Sequence, residues 1–380
     1  MEISITVTKD CNLQCKYCYQ GKHIEKIQIS FETIKKIVEL IKDKLIEYND
    51  SSLDIVFIGG EPLLAYKKII QIAELLNANL SNVVIKYYIT TNGTVLNDEI
   101  LTFLTQKKVD VSVSIDGNQN IHDRYRVDKQ NRGTYKKVIS TIKTLQKNNV
   151  KVKARMTITP DSAFTFYEDV VKLFEQNITV INPVCDFTCE WKSTQIDALK
   201  VAYRRLADWY IKMVGQVQLT CFDGRLYSLL TRKKLFCNAG IGLHYVISTS
   251  GEIYPCNYVT DNPDFLIGNL RKIKEPSEVR EMYLEYVLNE NIKCKECDAN
   301  EFCYGQKCCF LNWKTSGYLN SISPIMCQHE QFIFTLLQEI LMSLCRTNST
   351  EITKLIQYID KNKLGNKTYD KLRGKLWNMI

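Results

Sequence analysis

The sequence predicts an α/β fold: a partial (β/α)6 barrel, open at its side, followed by a cysteine-rich segment. Three observations predict it. Short strands alternate with amphipathic helices from Ile3 to Cys185. Several strands alternate apolar and polar residues, where parallel strands covered on both faces read as continuous apolar runs. Cysteine is abundant, with 15 residues gathered mainly near the start and between Cys237 and Cys327.

The candidate strands are Ile3–Thr8, Leu53–Ile58, Val83–Thr90, Val109–Ile115, Val150–Ile158 and Ile178–Val184. Helical periodicity fills the gaps, as in Phe31–Tyr48 behind a Ser30 cap, Leu64–Asn77 and Tyr135–Asn148. Strand and helix in alternation imply a parallel sheet with right-handed crossovers. Strand one sets Ile3, Ile5 and Val7 against Ser4, Thr6 and Thr8, and strands four and five do the same. One face packs on helices; the polar face suits a barrel lumen that holds a polar ligand. Six βα units are too few for the closed eight-strand barrel, so the TIM-like barrel is expected to be partial. The domains read as 1–195 for the barrel, 196–235 for a helical bridge, 236–330 for the cysteine-rich domain and 331–380 for a helical tail.

Composition narrows the class. The chain is 45% hydrophobic and 24% charged, without low-complexity stretches or solenoid repeats. The formal charge of +8 comes from lysines scattered over helix faces, so no nucleic-acid partner is expected. No basic-then-apolar signal opens the chain, and no apolar run of about eighteen residues marks a membrane span. A reducing, cytoplasmic setting follows, in which clustered cysteines mean metal sooner than disulfides.

Cys11, Cys15 and Cys18 stand as C-x3-C-x2-C in Cys11-Asn12-Leu13-Gln14-Cys15-Lys16-Tyr17-Cys18-Tyr19. A [4Fe–4S] cube normally takes four thiolates, so three on one loop leave one iron open to a small chelating ligand. A zinc site or three buried thiols is the plainer alternative. The unusual residues recur after successive strands: Gly59-Gly60-Glu61-Pro62, Thr90-Thr91-Asn92-Gly93 and Ser114-Ile115-Asp116-Gly117. Barrel enzymes build their sites there, at the carboxyl ends of strands. Gly59 and Gly60 allow close backbone approach, Glu61 can accept from an ammonium group, Ser114 from a ribose hydroxyl, and Arg155 can fork onto a carboxylate.

In order and wording, these motifs resemble the radical S-adenosylmethionine (SAM) enzymes. The resemblance implies that Cys11, Cys15 and Cys18 hold the SAM-binding cluster. It puts Tyr17 near adenine, Gly59, Gly60 and Glu61 at the methionine amino group, and Ser114 at the ribose. Pro62, Asn92, Asp116 and Arg155 complete the expected cofactor-binding set. The implied chemistry is reductive cleavage of SAM to a 5′-deoxyadenosyl radical that abstracts hydrogen, the cofactor supplying the difficult step.

The C-terminal cysteines Cys237, Cys256, Cys294, Cys297, Cys303, Cys308, Cys309 and Cys327 resemble the SPASM extension of peptide- and protein-modifying radical SAM enzymes. That resemblance implies two auxiliary [4Fe–4S] clusters, three in all. One would use Cys294, Cys297, Cys303 and Cys327. The other would use Cys237, Cys256 and either Cys308 or Cys309, with Cys308 preferred and Cys221 a candidate fourth ligand. Read alone, the central block could also be a zinc knuckle. Cys185 and Cys189 read as thiols in a packed turn. His23, His122, His244 and His329 form no ligand-spaced cluster and read as surface or capping residues.

Within that family, anaerobic sulfatase-maturating enzymes place an aspartate base directly after the cysteine of the Tyr-Pro-Cys element; here Asn257 stands there. The expected function is therefore maturation of a ribosomally made precursor peptide, with a sulfur-to-carbon thioether as first choice. A carbon–carbon or carbon–oxygen link and formylglycine formation are the alternatives, and an iron–sulfur redox carrier or sensor is the non-enzymatic one. Only ten residues precede Cys11, so leader recognition is expected from elsewhere in the chain or from a separate leader-binding protein. A flavodoxin or ferredoxin is the expected electron donor.

Overall fold

The computed structural model describes residues 1–21, 25–231, 239, 244–275, 277–279, 281–283, 292–303, 305 and 308–347. His23, Cys237 and the tail beyond residue 347 lie outside the described residues.

Six parallel strands form the frame: β1 (Glu2–Thr8), β2 (Ser52–Gly59), β3 (Val84–Thr91), β4 (Asp110–Ser114), β5 (Val152–Ile158) and β6 (Val180–Cys185). They lie side by side in chain order. Helices α1 (Phe31–Glu47), α2 (Tyr66–Asn79), α3 (Asp98–Gln106), α4 (Gln119–Tyr125), α5 (Tyr135–Lys147) and α6 (Phe166–Glu175) provide the crossovers. The capping residue Ser30 accepts the Thr33 amide at 3.0 Å and starts α1. That helix buries Ile34, Ile37, Ile41 and Leu45 against the sheet. Each such side chain contributes roughly 1.5–3 kcal/mol.

β4, β5 and β6 start one or two residues later than the apolar pattern predicts, for one shared reason. Lys108, Asn149 and Asn177 follow the ends of α3, α5 and α6 with φ of 49°, 60° and 60°. The next amides, of Val109, Val150 and Ile178, bond back to Leu104, Leu145 and Leu173 carbonyls at 3.0, 3.0 and 3.3 Å. This left-handed closure satisfies helix-end carbonyls, and the apolar residue after it packs over the last turn. Val109, Val150 and Ile178 therefore close helices before the strands begin.

The sheet extends at both sides. Helix α7 (Ser193–Lys212) leads to β7 (Gln218–Leu219), which adds parallel to β6, and α8 (Thr220–Thr231) follows. β8 (His244–Ile247) adds parallel to β1 from the other side. β9 (Glu252–Tyr254), β10 (Gly268–Asn269) and β11 (Lys272–Ile273) continue that edge as antiparallel hairpins. β7 and β11 are the two edges, so the barrel stays open. The cysteine-rich segment is thus anchored on the barrel's own sheet through β8. A helix over Pro324–Thr347 packs against α7 and α8, where Arg225 meets Glu330 at 2.8 Å.

The alternation has the expected effect. Ile5, Phe57, Val111 and Ala154 are buried in the core. Thr6, Thr8, Ile58 and Gly59 line a cavity at the carboxyl end of β1 and β2.

Candidate active site

The cysteine loop follows β1 directly and is clamped by the end of α4. The Gln14 amide bonds the Val127 carbonyl at 2.9 Å, and the Lys16 amide bonds the Tyr125 carbonyl at 3.0 Å. Inside the loop, Cys18 closes a turn onto the Cys15 carbonyl at 3.1 Å. Cys11 is buried and receives the Leu13 amide at 3.4 Å and the Asn92 side-chain amide at 3.9 Å. Burial pushes the Cys11 thiol up to about 12, with the charges of Glu61, Cys15 and Cys18 adding to it. The three sulfurs thus share one electrostatic environment.

The glycines after β2 serve this loop. A Cβ on Gly60 would sit 2.4 Å from the Asp10 carbonyl oxygen, and one on Gly59 2.4 Å from that of Thr8. Only glycine lets the two backbones approach this closely. The Glu61 amide then bonds the Asp10 carbonyl at 2.8 Å. The Glu61 carboxylate turns inward, to 1% exposure, and accepts from Leu63 N, Thr91 Oγ1 and Asn92 N at 3.0, 2.7 and 2.6 Å. Burial outweighs these bonds and lifts it to about 7. Pro62 is buried at the start of a 3₁₀ turn. Glu61 and Pro62 therefore shape the wall from behind; the part of this motif facing the cavity is the Gly59–Gly60 backbone.

Asp116 also stands behind the rim, fully buried. It accepts Arg126 Nε at 2.9 Å, Arg126 Nη2 at 3.1 Å, Thr157 N at 2.9 Å and the Tyr17 hydroxyl. The Tyr17 ring stacks on Tyr125 with centroids 5.5 Å apart, and the Arg126 guanidinium lies 5.1 Å from the Tyr17 centroid. Beneath them, His122 Nδ1 accepts the Asp116 amide at 3.4 Å and Nε2 meets Thr134 Oγ1 at 3.0 Å. His122 is thus a buried core residue, unlike the surface residue its isolation in the sequence predicts. Burial holds it neutral, down to about 4.

Ser114 and Arg155 are register partners on β4 and β5. Arg155 is solvent-exposed, and its charge is felt by Tyr19 and Tyr258. These two rings meet edge to face, 5.4 Å apart. Tyr19 follows Cys18, and Tyr258 is two residues past Cys256, so the pair joins the N-terminal cysteine loop to the cysteine-rich segment. No sequence signal beyond adjacency to cysteine marked either tyrosine.

Between these elements lies a cavity of about 390 Å³. Thr8, Lys9, Tyr19, Gly59, Gly60, Asn257, Tyr258, Asp261 and Lys314 are among its lining. Lys9 bridges to Asp261 at 2.9 Å across it. Asn257 Oδ1 is buried without a hydrogen-bond partner.

Further along, Cys309 packs in the apolar core beside Phe310, whereas Cys308 is partly exposed and acts electrostatically on Tyr258 together with Cys256. Cys297 closes a turn on the Cys294 carbonyl at 3.2 Å. Cys221 lies beside Asp223, Arg225 and Cys185. Cys185 meets His329 Nε2 at 3.7 Å, and His329 Nδ1 meets Glu330 at 3.1 Å, so His329 belongs to a buried network rather than the surface.

Among the described residues, no three His, Cys, Asp or Glu side chains converge on a position for a single metal ion. A four-iron cube asks for a different arrangement, one thiolate at each corner. Three thiols on one clamped loop, beside a polar cavity floored by glycine backbone, fit that cube with a chelating ligand on its open iron.

The chain matches the radical SAM superfamily over residues 5–173. It is 28% identical over 320 residues to a cysteine-type anaerobic sulfatase-maturating enzyme of Clostridium novyi, covering 78% of this chain and 84% of that one. The structure of anSMEcpe with bound AdoMet and Kp18Cys peptide superposes with a TM-score of 0.76 at 20% identity, over 91% of this chain and 100% of that one. Streptococcus suis SuiB bound to its precursor peptide SuiA superposes with a TM-score of 0.61 at 18% identity, over 86% and 75%. The shared fold includes the cysteine-rich SPASM-type extension. With sequence, sheet order and cysteine loop in agreement, residues 5–173 form a radical SAM domain.

Proposed function

We propose that this radical SAM enzyme modifies a peptide, binding SAM against Gly59 and Gly60 and joining a cysteine sulfur of the substrate to a carbon. The observation that carries the reading is the single cavity bordered by Gly59 and Gly60 on one side and by Asn257 and Tyr258 on the other. It offers room for SAM and a substrate side chain together. Asn257 cannot take a proton as a carboxylate base would.

Cys11, Cys15 and Cys18 hold the SAM-binding cluster in this reading, with Ser114 and Arg155 available to the nucleoside and carboxylate. The bound cofactors supply one-electron cleavage of SAM and hydrogen-atom abstraction. Cys256, with Cys308 in preference to Cys309, and Cys294, Cys297, Cys303 and Cys327 serve auxiliary clusters. The substrate loses a hydrogen atom from carbon, a proton from sulfur and one electron to an iron–sulfur centre as the S–C bond forms. The reductant is a flavodoxin- or ferredoxin-type protein.

Co-expression with a cysteine-containing precursor peptide tests this. The expected product has lost two hydrogens for each link and has one fewer alkylatable cysteine. Loss of hydrogen with every cysteine still alkylatable removes the thioether. The similarity to a cysteine-type sulfatase-maturating enzyme favours formylglycine as the second reading; a product that reacts with hydrazides would establish it.

A further inference from the structure

Joining a cysteine sulfur to carbon releases the thiol proton, and Asn257 cannot take it. Among the other groups lining the cavity, lysine ammoniums and tyrosine hydroxyls already hold their protons at neutral pH. Two carboxylates line it as well, Glu25 and Asp261. Glu25 stands on the barrel side, just after the cysteine loop, 3.7 Å from Lys9 with its side chain 59% exposed. Asp261 stands on the wall that carries Asn257 and Tyr258, and Lys9 meets its Oδ2 at 2.9 Å.

Local structure fixes Asp261 there. The 3₁₀ turn Asn257–Val259 runs into a tight turn in which the Asn262 amide bonds the Val259 carbonyl at 3.2 Å. Thr260 has φ −60° and ψ 141°, and Asp261 follows at φ 65°, the left-handed third position of a type II turn. Glycine or asparagine suits that position best, so the turn gains nothing from a carboxylate. Lys9 orients the side chain through Oδ2, and among the described residues no other group bonds the carboxylate. With the side chain 49% exposed, lone pairs are open to a substrate and a proton can pass on to water.

We propose that Asp261 is a catalytic residue, the general base that accepts the proton of the substrate thiol. This rests on the peptide-modifying reading above. The S–H bond breaks as the S–C bond forms. The proton goes to Asp261 and on to water, the hydrogen atom of the carbon is taken in the cofactor step, and the remaining electron passes to an iron–sulfur centre.

The test uses the anaerobically reconstituted full protein and the cysteine-containing precursor peptide of the co-expression experiment. D261N suits the turn, so its fold should be intact. It should bind SAM as the wild type does by calorimetry and still release 5′-deoxyadenosine, while cross-linked peptide falls at least about a hundredfold. K9M breaks the same bridge but leaves the carboxylate, and should lose far less. Wild-type yield in D261N, equal losses in K9M and D261N, or a loss in E25Q that D261N does not show overturns the inference. Loss of SAM binding in D261N also overturns it, placing Asp261 at the cofactor. If the wild type leaves the peptide unmodified, the peptide-modifying reading itself falls.

Discussion

Asn92 donates its backbone amide to Glu61 at 2.6 Å, joining the loop after β2 to the loop after β3. Its side chain reaches on to Asn12 at 2.9 Å, inside the cysteine loop. Three rim loops are thereby one hydrogen-bonded unit, and Glu61 is its buried centre.

Replacing Glu61 with alanine should loosen that unit. Leu63 N, Thr91 Oγ1 and Asn92 N would lose their acceptor in a buried place. With roughly 1–3 kcal/mol for each unsatisfied group, a total loss of about 3 kcal/mol or more is expected. Urea melts should show it, together with weaker SAM binding by calorimetry.

Glu61 also carries a pH signature. Its folded value of about 7 lies above the ordinary 4.5, so the native state holds more protons across that interval. Stability falls as pH rises through it, by roughly 3 kcal/mol in total. In E61Q this fall should be gone, so that stability rises between pH 5 and pH 7.5 under the remaining influence of His122.

His122 has the opposite sign. Its folded value of about 4 lies below the ordinary 6.5, so the unfolded state holds more protons between them. Stability is lost as pH falls through that window, by a similar amount. The two slopes cancel over much of the range in the native protein. H122Q should therefore expose the Glu61 slope, and E61Q the acid lability of His122; identical pH profiles in all three proteins would contradict both assignments.

Gly60→Ala tests the close backbone approach. The added methyl would lie 2.4 Å from the Asp10 carbonyl oxygen, which belongs to rigid backbone. A loss of roughly 1–3 kcal/mol is expected from the forced shift. SAM affinity should fall at least about tenfold with the circular dichroism spectrum preserved.

Alanine at Cys11, Cys15 and Cys18 together should abolish SAM cleavage to 5′-deoxyadenosine. Iron content of anaerobically prepared protein should fall from about twelve to about eight per chain, one cube of three. Unchanged iron would remove the cluster from this loop.

Breaking the Arg225–Glu330 pair with Glu330→Ala should cost about 3–5 kcal/mol, because it leaves a buried guanidinium without this carboxylate. The pair joins α8 to the helix Pro324–Thr347, so limited proteolysis should find that helix first.

The legible parts of the site were those written in local spacing. C-x3-C-x2-C and the motifs after β2, β3 and β4 each sit on one short loop, and the strand period places those loops on one rim. β7 and β8 were missed because two and four residues are too few to show a period. Tyr19 and Tyr258 do not read as site neighbours in the sequence because their contact is made across loops distant in the chain. His329 reads as a surface residue because Cys185 and Tyr203, which bury it, are distant in sequence.

Strand periodicity and count determined the α/β barrel and its open form, since alternation is a property of neighbouring residues, and the resemblance of the short loop motifs to the radical SAM enzymes implied the chemistry. Tertiary structure decided which polar groups face the cavity and which support it. Glu61 and Asp116 look alike in sequence, acidic residues in glycine-bearing loops after strands. Folding turned both inward, because each had three or more protein donors close by to satisfy a carboxylate in the absence of water.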